Sequence, residues 1–192
     1  MYYCNDKRIK FIITTIKNYI YKFSGVIDLI TIRKILNYKD KSYVANNILR
    51  SLPEWFARED SIVEYVEGVK DTKVYAAYSY QKLIGFISMK PIDKITSEIY
   101  LIGVMKEFHN KGIGTKLIEE AEKELSQQNI KYIVVKTLGE SHPDEYYKST
   151  RAFYRSAGFY QLEESKTVWG EDLPCLVMKK EIKTKYFIST LW

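Results

Sequence analysis

The 192-residue chain predicts one α/β domain on a mixed, mostly antiparallel sheet. Three observations carry this. Short β-branched and aromatic runs alternate with segments of helical period. The two-glycine stretch "HNKGIGTK" (109–116) joins one such run to the most regular helical pattern in the chain. No repeat, low-complexity tract or linker divides the sequence, and its length suits a single core.

Taken in order, "VIDLITIR" (26–33) alternates as a first strand, and "DKSYVANNILRSL" follows as a helix stopped by Pro53. "PEWFARED" reads as a loop with two exposed aromatics. Ser61 or Asp60 caps the next helix, "IVEYVEGVK". "KVYAAYSYQKLIGFISMK" reads as a hairpin turning near Gln81, and "SEIYLIGVM" as a further strand. In the helix over 112–128, Ile113, Leu117, Ile118, Ala121 and Leu125 form the apolar face. "IKYIVVKTL" has the unbroken apolar character of a buried strand. "YKSTRAFYRSA" is a short helix with Gly158 at the position after its end. "FYQLEES" and "CLVMKKEI" close the domain as strands. The predicted order is β-α-α-β-β-β-α-β-α-β-β.

Charge divides the chain. The first 50 residues carry ten Lys/Arg and three Asp/Glu, whereas the rest carry twenty and twenty-one. The basic excess belongs to that N-terminal segment, not to the body of the protein. An N-terminal extension (1–25) precedes the domain (26–181) and a C-terminal tail (182–192). No organised basic face with aromatic platforms points to nucleic acid. No run approaches about 18 apolar residues, so no transmembrane segment is expected. Ile9, Ile13, Ile16, Ile20 and Phe23 share one helical stripe within 7–23. That stripe fits a helix docked on the domain or on a partner subunit, as in a homodimer, better than a basic membrane-surface helix. Cys4 and Cys175 form no ligand spacing, and two histidines do not make a zinc site, so no metal and a reducing, cytoplasmic setting are expected.

Glycines before a helix suggest an anion site, because a helix start offers unpaired N–H groups and a positive dipole end. "HNKGIGTK" is not a Walker loop, since its lysine and threonine are in the wrong order. It is not a dinucleotide fingerprint either, because Leu117 stands where the third glycine belongs. Residues 109–114 do fit the layout x-x-x-G-x-G/A at the end of a strand. Tyr154, Gly158 and Phe159 add a second pattern, Tyr-x-x-x-Gly-Phe.

With these two motifs on this element order, the chain resembles the GNAT superfamily of acetyl-CoA-dependent N-acetyltransferases over residues 26–181. It is similar to a bacterial subgroup sharing "LPEWF", "VKTL", "TRAFY" and "WGEDLPCL". His109 replaces the usual Gln or Arg of the first motif. The resemblance implies a sheet splayed between its fourth and fifth strands, with acetyl-CoA as cosubstrate in the split. Ile102, Gly103 and Val104 would pair with the pantetheine arm. His109, Asn110, Lys111, Gly112, Ile113, Gly114 and Thr115 would hold the pyrophosphate.

The resemblance also implies transfer of an acetyl group to an amine. Deprotonating an alkyl amine of pKa near 10 costs about 4 kcal/mol at neutral pH, so a base is needed. Glu98 is the candidate, with Asp144 and Glu54 as looser substitutes. Tyr154, one of seventeen tyrosines, stands where the family keeps its general acid. Trp55, Phe56, His142 and Trp169 are candidate acceptor contacts. Glu54, Asp144, Glu171 and Asp172 favour a cationic small-molecule amine. A protein or peptide amine and a non-catalytic acyl-CoA sensor are the alternatives. No activated nucleophile is apparent, so transfer is expected to be direct.

Overall fold

The computed structural model describes residues 29–183. Residues 26–28 of the first expected strand, the expected helix over 7–23 and most of the tail lie outside them. The elements are β1 (Ile30–Ile35), α1 (Tyr38–Arg50), α2 (Glu59–Gly68), β2 (Lys73–Ser79), β3 (Lys82–Pro91), β4 (Thr96–Val104), α3 (Ile113–Gln127), β5 (Tyr132–Leu138), α4 (Glu145–Ser156), β6 (Tyr160–Ser165) and β7 (Cys175–Glu181). The seven strands form one sheet in the order β1-β2-β3-β4-β5-β7-β6. Every pairing is antiparallel except β4 with β5.

Each face of the sheet carries its own core. On one, α3 and α4 bury Ile113, Leu117, Ile118, Leu125 and Tyr154 against Ile87, Ile99, Ile133, Val135 and Met178. On the other, α1 and α2 bury Val44, Ile48, Leu49 and Ile62 against Val74, Phe86 and Leu101. Removing any of these large side chains costs about 2–5 kcal/mol as a cavity.

Helix ends differ from expectation in instructive ways. Asn37 caps α1 by accepting from the Lys39 amide. α2 starts at Glu59 after Arg58, which supplies no side-chain cap, so neither Ser61 nor Asp60 is the capping residue. Acidic Glu59 and Asp60 lie in its first turn instead, where their charge favours the dipole. α4 begins at Glu145 rather than Tyr147, because Asp144 accepts from the Tyr147 amide. At its far end, the Gly158 amide donates to Arg155 O and the Phe159 amide to Tyr154 O. This is a Schellman closure with Gly158 at φ +91°. The Phe159 ring packs on Tyr154, centroids 5.6 Å apart. The Tyr-x-x-x-Gly-Phe pattern therefore has a local structural cause.

Candidate active site

β4 and β5 pair over four rungs, from Thr96↔Tyr132 to Ile99↔Val135, and then part. The parting coincides with a β-bulge. Opposite β3, Ile99 faces Met89 and Leu101 faces Ser88, leaving Tyr100 as the extra residue. The bulge changes which backbone groups face the split. Before it, the Thr96 carbonyl accepts from Ile92 and Asp93 on the β3 side, and the Ile95 carbonyl accepts from Lys131 and Tyr132 on the β5 side. After it, the Met105 amide donates back to Ile84 of β3. Backbone groups alternate along a strand, so Ile102 and Val104 turn their amides and carbonyls into the split.

Gly103 turns its backbone to β3. Its missing side chain has a packing cause: a Cβ there would lie 2.8 Å from Ile48 Cγ2 and 3.1 Å from Leu52 Cδ1. The glycine lets α1 sit close to the sheet.

From Val104 the chain passes to the start of α3 through two left-handed residues, Asn110 (φ 59°) and Gly112 (φ 73°). Gly112 is the N-cap and offers no side chain, and the first turn holds no acidic residue. The first amide bonded back into the helix is that of Lys116, to Gly112 O. Among the described residues the amides of Asn110 to Thr115 thus form a set without hydrogen-bond partners at the positive end of a fifteen-residue helix. The His109 amide is already committed to Lys106 O. A Cβ on Gly112 would meet nothing within 4 Å, so the space before these amides is open. At Gly114 a Cβ would meet the Phe153 ring at 2.8 Å. The two glycines serve different ends: one shapes and opens the loop, the other admits α4.

Ile99 and Val135 point into the α3/α4 core, so their neighbours Glu98 and Lys136 project from the other face. There Lys136 Nζ lies 3.0 Å from Glu98 Oε1. Tyr154 is buried between the Phe153 and Phe159 rings, and burial, with nearby Tyr147, raises its phenol well above the usual range. It holds its proton at neutral pH. Burial also raises the Cys175 thiol, which makes it a weak nucleophile.

Trp55 is half-buried rather than exposed, and it spans three elements. Its Nε1 donates to Thr150 Oγ1 at 3.0 Å, and its ring meets Tyr146 and His109 edge-on at 5.2 and 5.7 Å. Tyr147 donates to the Trp55 carbonyl at 3.4 Å, and burial pushes that phenol up to about 12. His109 Nε2 in turn donates to Val104 O at 2.6 Å. Glu54 pairs with Lys106, which holds its carboxyl below the usual range. Phe56 is also half-buried, packed on Tyr65 in the α1/α2 core.

The remaining candidates lie apart from this group. His142 and Asp144 line a cavity of about 370 Å³ with Glu140, Arg151 and Arg155. Trp169 is 44% exposed in the β6–β7 loop, beside exposed Glu171 and Asp172. Tyr146, Tyr147 and Thr150 were not singled out by the sequence. Their signal was the spacing i, i+3/i+4, i+7/i+8 with Tyr154 on one face of α4. Among the described residues no helix could cross a membrane and no group of three metal-ligating side chains occurs.

An unpaired strand edge beside a set of free helix-start amides suits a long ligand with an amide-bearing arm and phosphates. The profile of the acetyltransferase (GNAT) family matches residues 40–159. An N-acetyltransferase of Chlorobaculum tepidum is 28% identical over 118 residues, covering 60% of this chain and 68% of that protein. Two solved structures share the fold. An aminoglycoside 6'-N-acetyltransferase complexed with coenzyme A has TM-score 0.64 and 22% identity, over 80% of this chain and 97% of its own. The ribosomal-protein-S18-alanine N-acetyltransferase of Escherichia coli has TM-score 0.63 and 14% identity, over 85% and 99%. The split sheet, the glycine-led helix start and the family match lead to one conclusion: this chain belongs to the GNAT family of acetyltransferases.

Proposed function

We propose that the protein transfers the acetyl group of acetyl-CoA directly to the primary amine of a small cationic molecule in the cytoplasm. The observation that carries this reading is the open β4 edge at Ile102 and Val104, continuous with the free amides of Asn110–Thr115. A pantetheine arm has amides to pair with such an edge, and a pyrophosphate suits such a helix start. The Thr115 hydroxyl and Lys111 add a donor and a charge. The Lys111 ammonium now rests 4.9 Å from the centre of the Phe108 ring.

Each residue has one task. The Ile102 amide, the first past the bulge to face the split, polarises the acetyl carbonyl as negative charge gathers on its oxygen. Glu98 accepts the acceptor's proton, directly or through a water. Tyr154 is the proton donor to the departing thiolate. Trp55 and Phe56 form the acceptor wall nearest the split, whereas Trp169 and His142 lie apart from it on their own loops. Glu54, Asp144, Glu171 and Asp172 give that side a negative bias, which favours a cationic acceptor. No acyl-enzyme is needed, because Cys175 is a poor nucleophile.

The test is calorimetric titration of acetyl-CoA into the wild type and Gly112→Glu, followed by thiol release with a panel of amines. Micromolar binding lost in the variant, with turnover of small polyamines or amino sugars, supports the reading. Turnover only of peptide amines would replace the small-molecule acceptor, and binding without turnover would make the chain a sensor. A folded wild type that does not bind acetyl-CoA would end the proposal.

A further inference from the structure

The amine that lies against Glu98 in this structure belongs to the protein itself. Lys136 is the first residue of β5 past the last rung shared with β4. Its Nζ sits 3.0 Å from Glu98 Oε1, and its side chain is 41% exposed against 15% for Glu98. Both project from the sheet face opposite the α3/α4 core, at the point where the strands part. An acceptor ammonium that binds the same Glu98 oxygen competes with Lys136 Nζ for it. With donor present and no acceptor, the group in place is Lys136.

We propose that Lys136 is a self-acetylation site, an inference that rests on the acetyl-CoA reading above and on Glu98 as its base. In this step the Lys136 ammonium gives a proton to Glu98. The freed Nζ lone pair forms a bond to the acetyl carbonyl carbon. The carbon–sulfur bond breaks, and its electron pair leaves on the CoA sulfur. Nζ loses two protons in all: one ends on that sulfur as the free thiol, and the other passes through Glu98 to solvent. The product is a neutral acetyl-lysine, which no longer forms an ion pair with Glu98. Modification thus clears the base for an external amine, and a preparation that starts unmodified should show a lag that pre-incubation with acetyl-CoA removes.

The experiment is incubation of the full chain with acetyl-CoA alone, followed by intact mass and peptide mapping over time. The expected result is one acetyl group, on Lys136, gained at a rate per molecule that does not depend on protein concentration. Glu98→Gln should slow it about a hundredfold, the ordinary contribution of a positioned base, and Lys136→Arg should abolish it. Calorimetry on the same samples separates the two readings. Acetyl-CoA binding with no label on Lys136 overturns self-acetylation and leaves the transferase reading standing. No acetyl-CoA binding removes both. Label on Lys136 that persists unchanged in Glu98→Gln, or spreads equally over exposed lysines, marks uncatalysed reaction with the thioester and also overturns the inference.

Discussion

Replacing His109 by alanine should tighten acetyl-CoA binding, although His109 lies in the very loop proposed to hold the pyrophosphate. Its imidazole Nε2 donates to Val104 O at 2.6 Å, and Val104 is one of the two residues whose backbone faces the split. A pantetheine amide that pairs with this carbonyl must displace the imidazole. A neutral intramolecular hydrogen bond has a net worth of about 1 kcal/mol. Removing that competitor should therefore lower the dissociation constant about fivefold. Loss of the edge-on contact with Trp55, 5.7 Å away, adds about 0.5–1.5 kcal/mol in the same direction if binding also separates those rings. The anion loop should be untouched, because the His109 amide donates to Lys106 O rather than toward the helix start. Calorimetric titration of both proteins with acetyl-CoA, at one salt concentration, reads the change. Weaker binding in the alanine variant would refute the reasoning and make the imidazole a ligand contact. An unchanged constant would mean that the ligand does not use the Val104 carbonyl.

Tyr154→Phe keeps the ring between Phe153 and Phe159 but removes the acidic proton, so kcat should fall about a hundredfold with acetyl-CoA affinity unchanged; steady-state kinetics with an unaltered kcat would leave Tyr154 only its role at the helix end. Gly114→Ala forces a methyl to 2.8 Å from the Phe153 ring and should cost about 1–3 kcal/mol. Phe153→Leu in the same chain should recover most of that, and denaturation showing simple additivity would contradict the contact. Glu124 is pushed down from its usual 4.5 to about 2, chiefly by its hydrogen bond from Lys34 at 2.6 Å, with Tyr75 and the Lys73 charge assisting. A depressed carboxylate stabilises the fold above its unfolded value and loses that contribution as pH falls through its folded one. Glu124→Gln should therefore lower Tm by about 2–4 °C at neutral pH, the effect of about 1 kcal/mol, and the gap should close between pH 4.5 and 2. A gap that stays constant in melting curves across that range would disprove the linkage.

Periodicity made the order of strands and helices legible, because each element buries one face and so repeats at its own spacing. The apolar set of α3 was readable residue by residue, and all five of its expected core positions are buried. Element ends were less readable. Asp144 outcompetes the local pattern and starts α4 early, whereas α2 begins without any side-chain cap. The two-glycine loop was legible as the start of α3, but the reason for Gly114 was not, since Phe153 reaches it from another helix. The β4 bulge was not legible: its extra residue is Tyr100, and Gly103 answers to Ile48 of α1 and to Leu52 just beyond that helix. Trp55 looked like an exposed loop aromatic. Its seat depends on Thr150 and Tyr146, some ninety residues along the chain, and no local pattern encodes such a meeting. Glu98 was named as the candidate base, but nothing near it in sequence points to its ion-pair partner Lys136, which belongs to the neighbouring strand.

The bulge at Tyr100 also bears on how the protein avoids sticking to itself. Unpaired strand edges are templates for aggregation, and proteins usually guard them with charge, proline or cover at the outside of a sheet. Here an unpaired edge is created in the interior of the strand order instead, between β4 and β5. It is shut at one end by the rungs from Thr96 to Ile99 and overlooked at the other by the Trp55 anchorage on α4. The edge so bounded runs only from the bulge to Val104, and a short edge is a poor template for the strand pairing that leads to aggregation. The geometry that leaves Ile102 and Val104 ready to pair thus offers a ligand two residues of edge and a foreign strand little more.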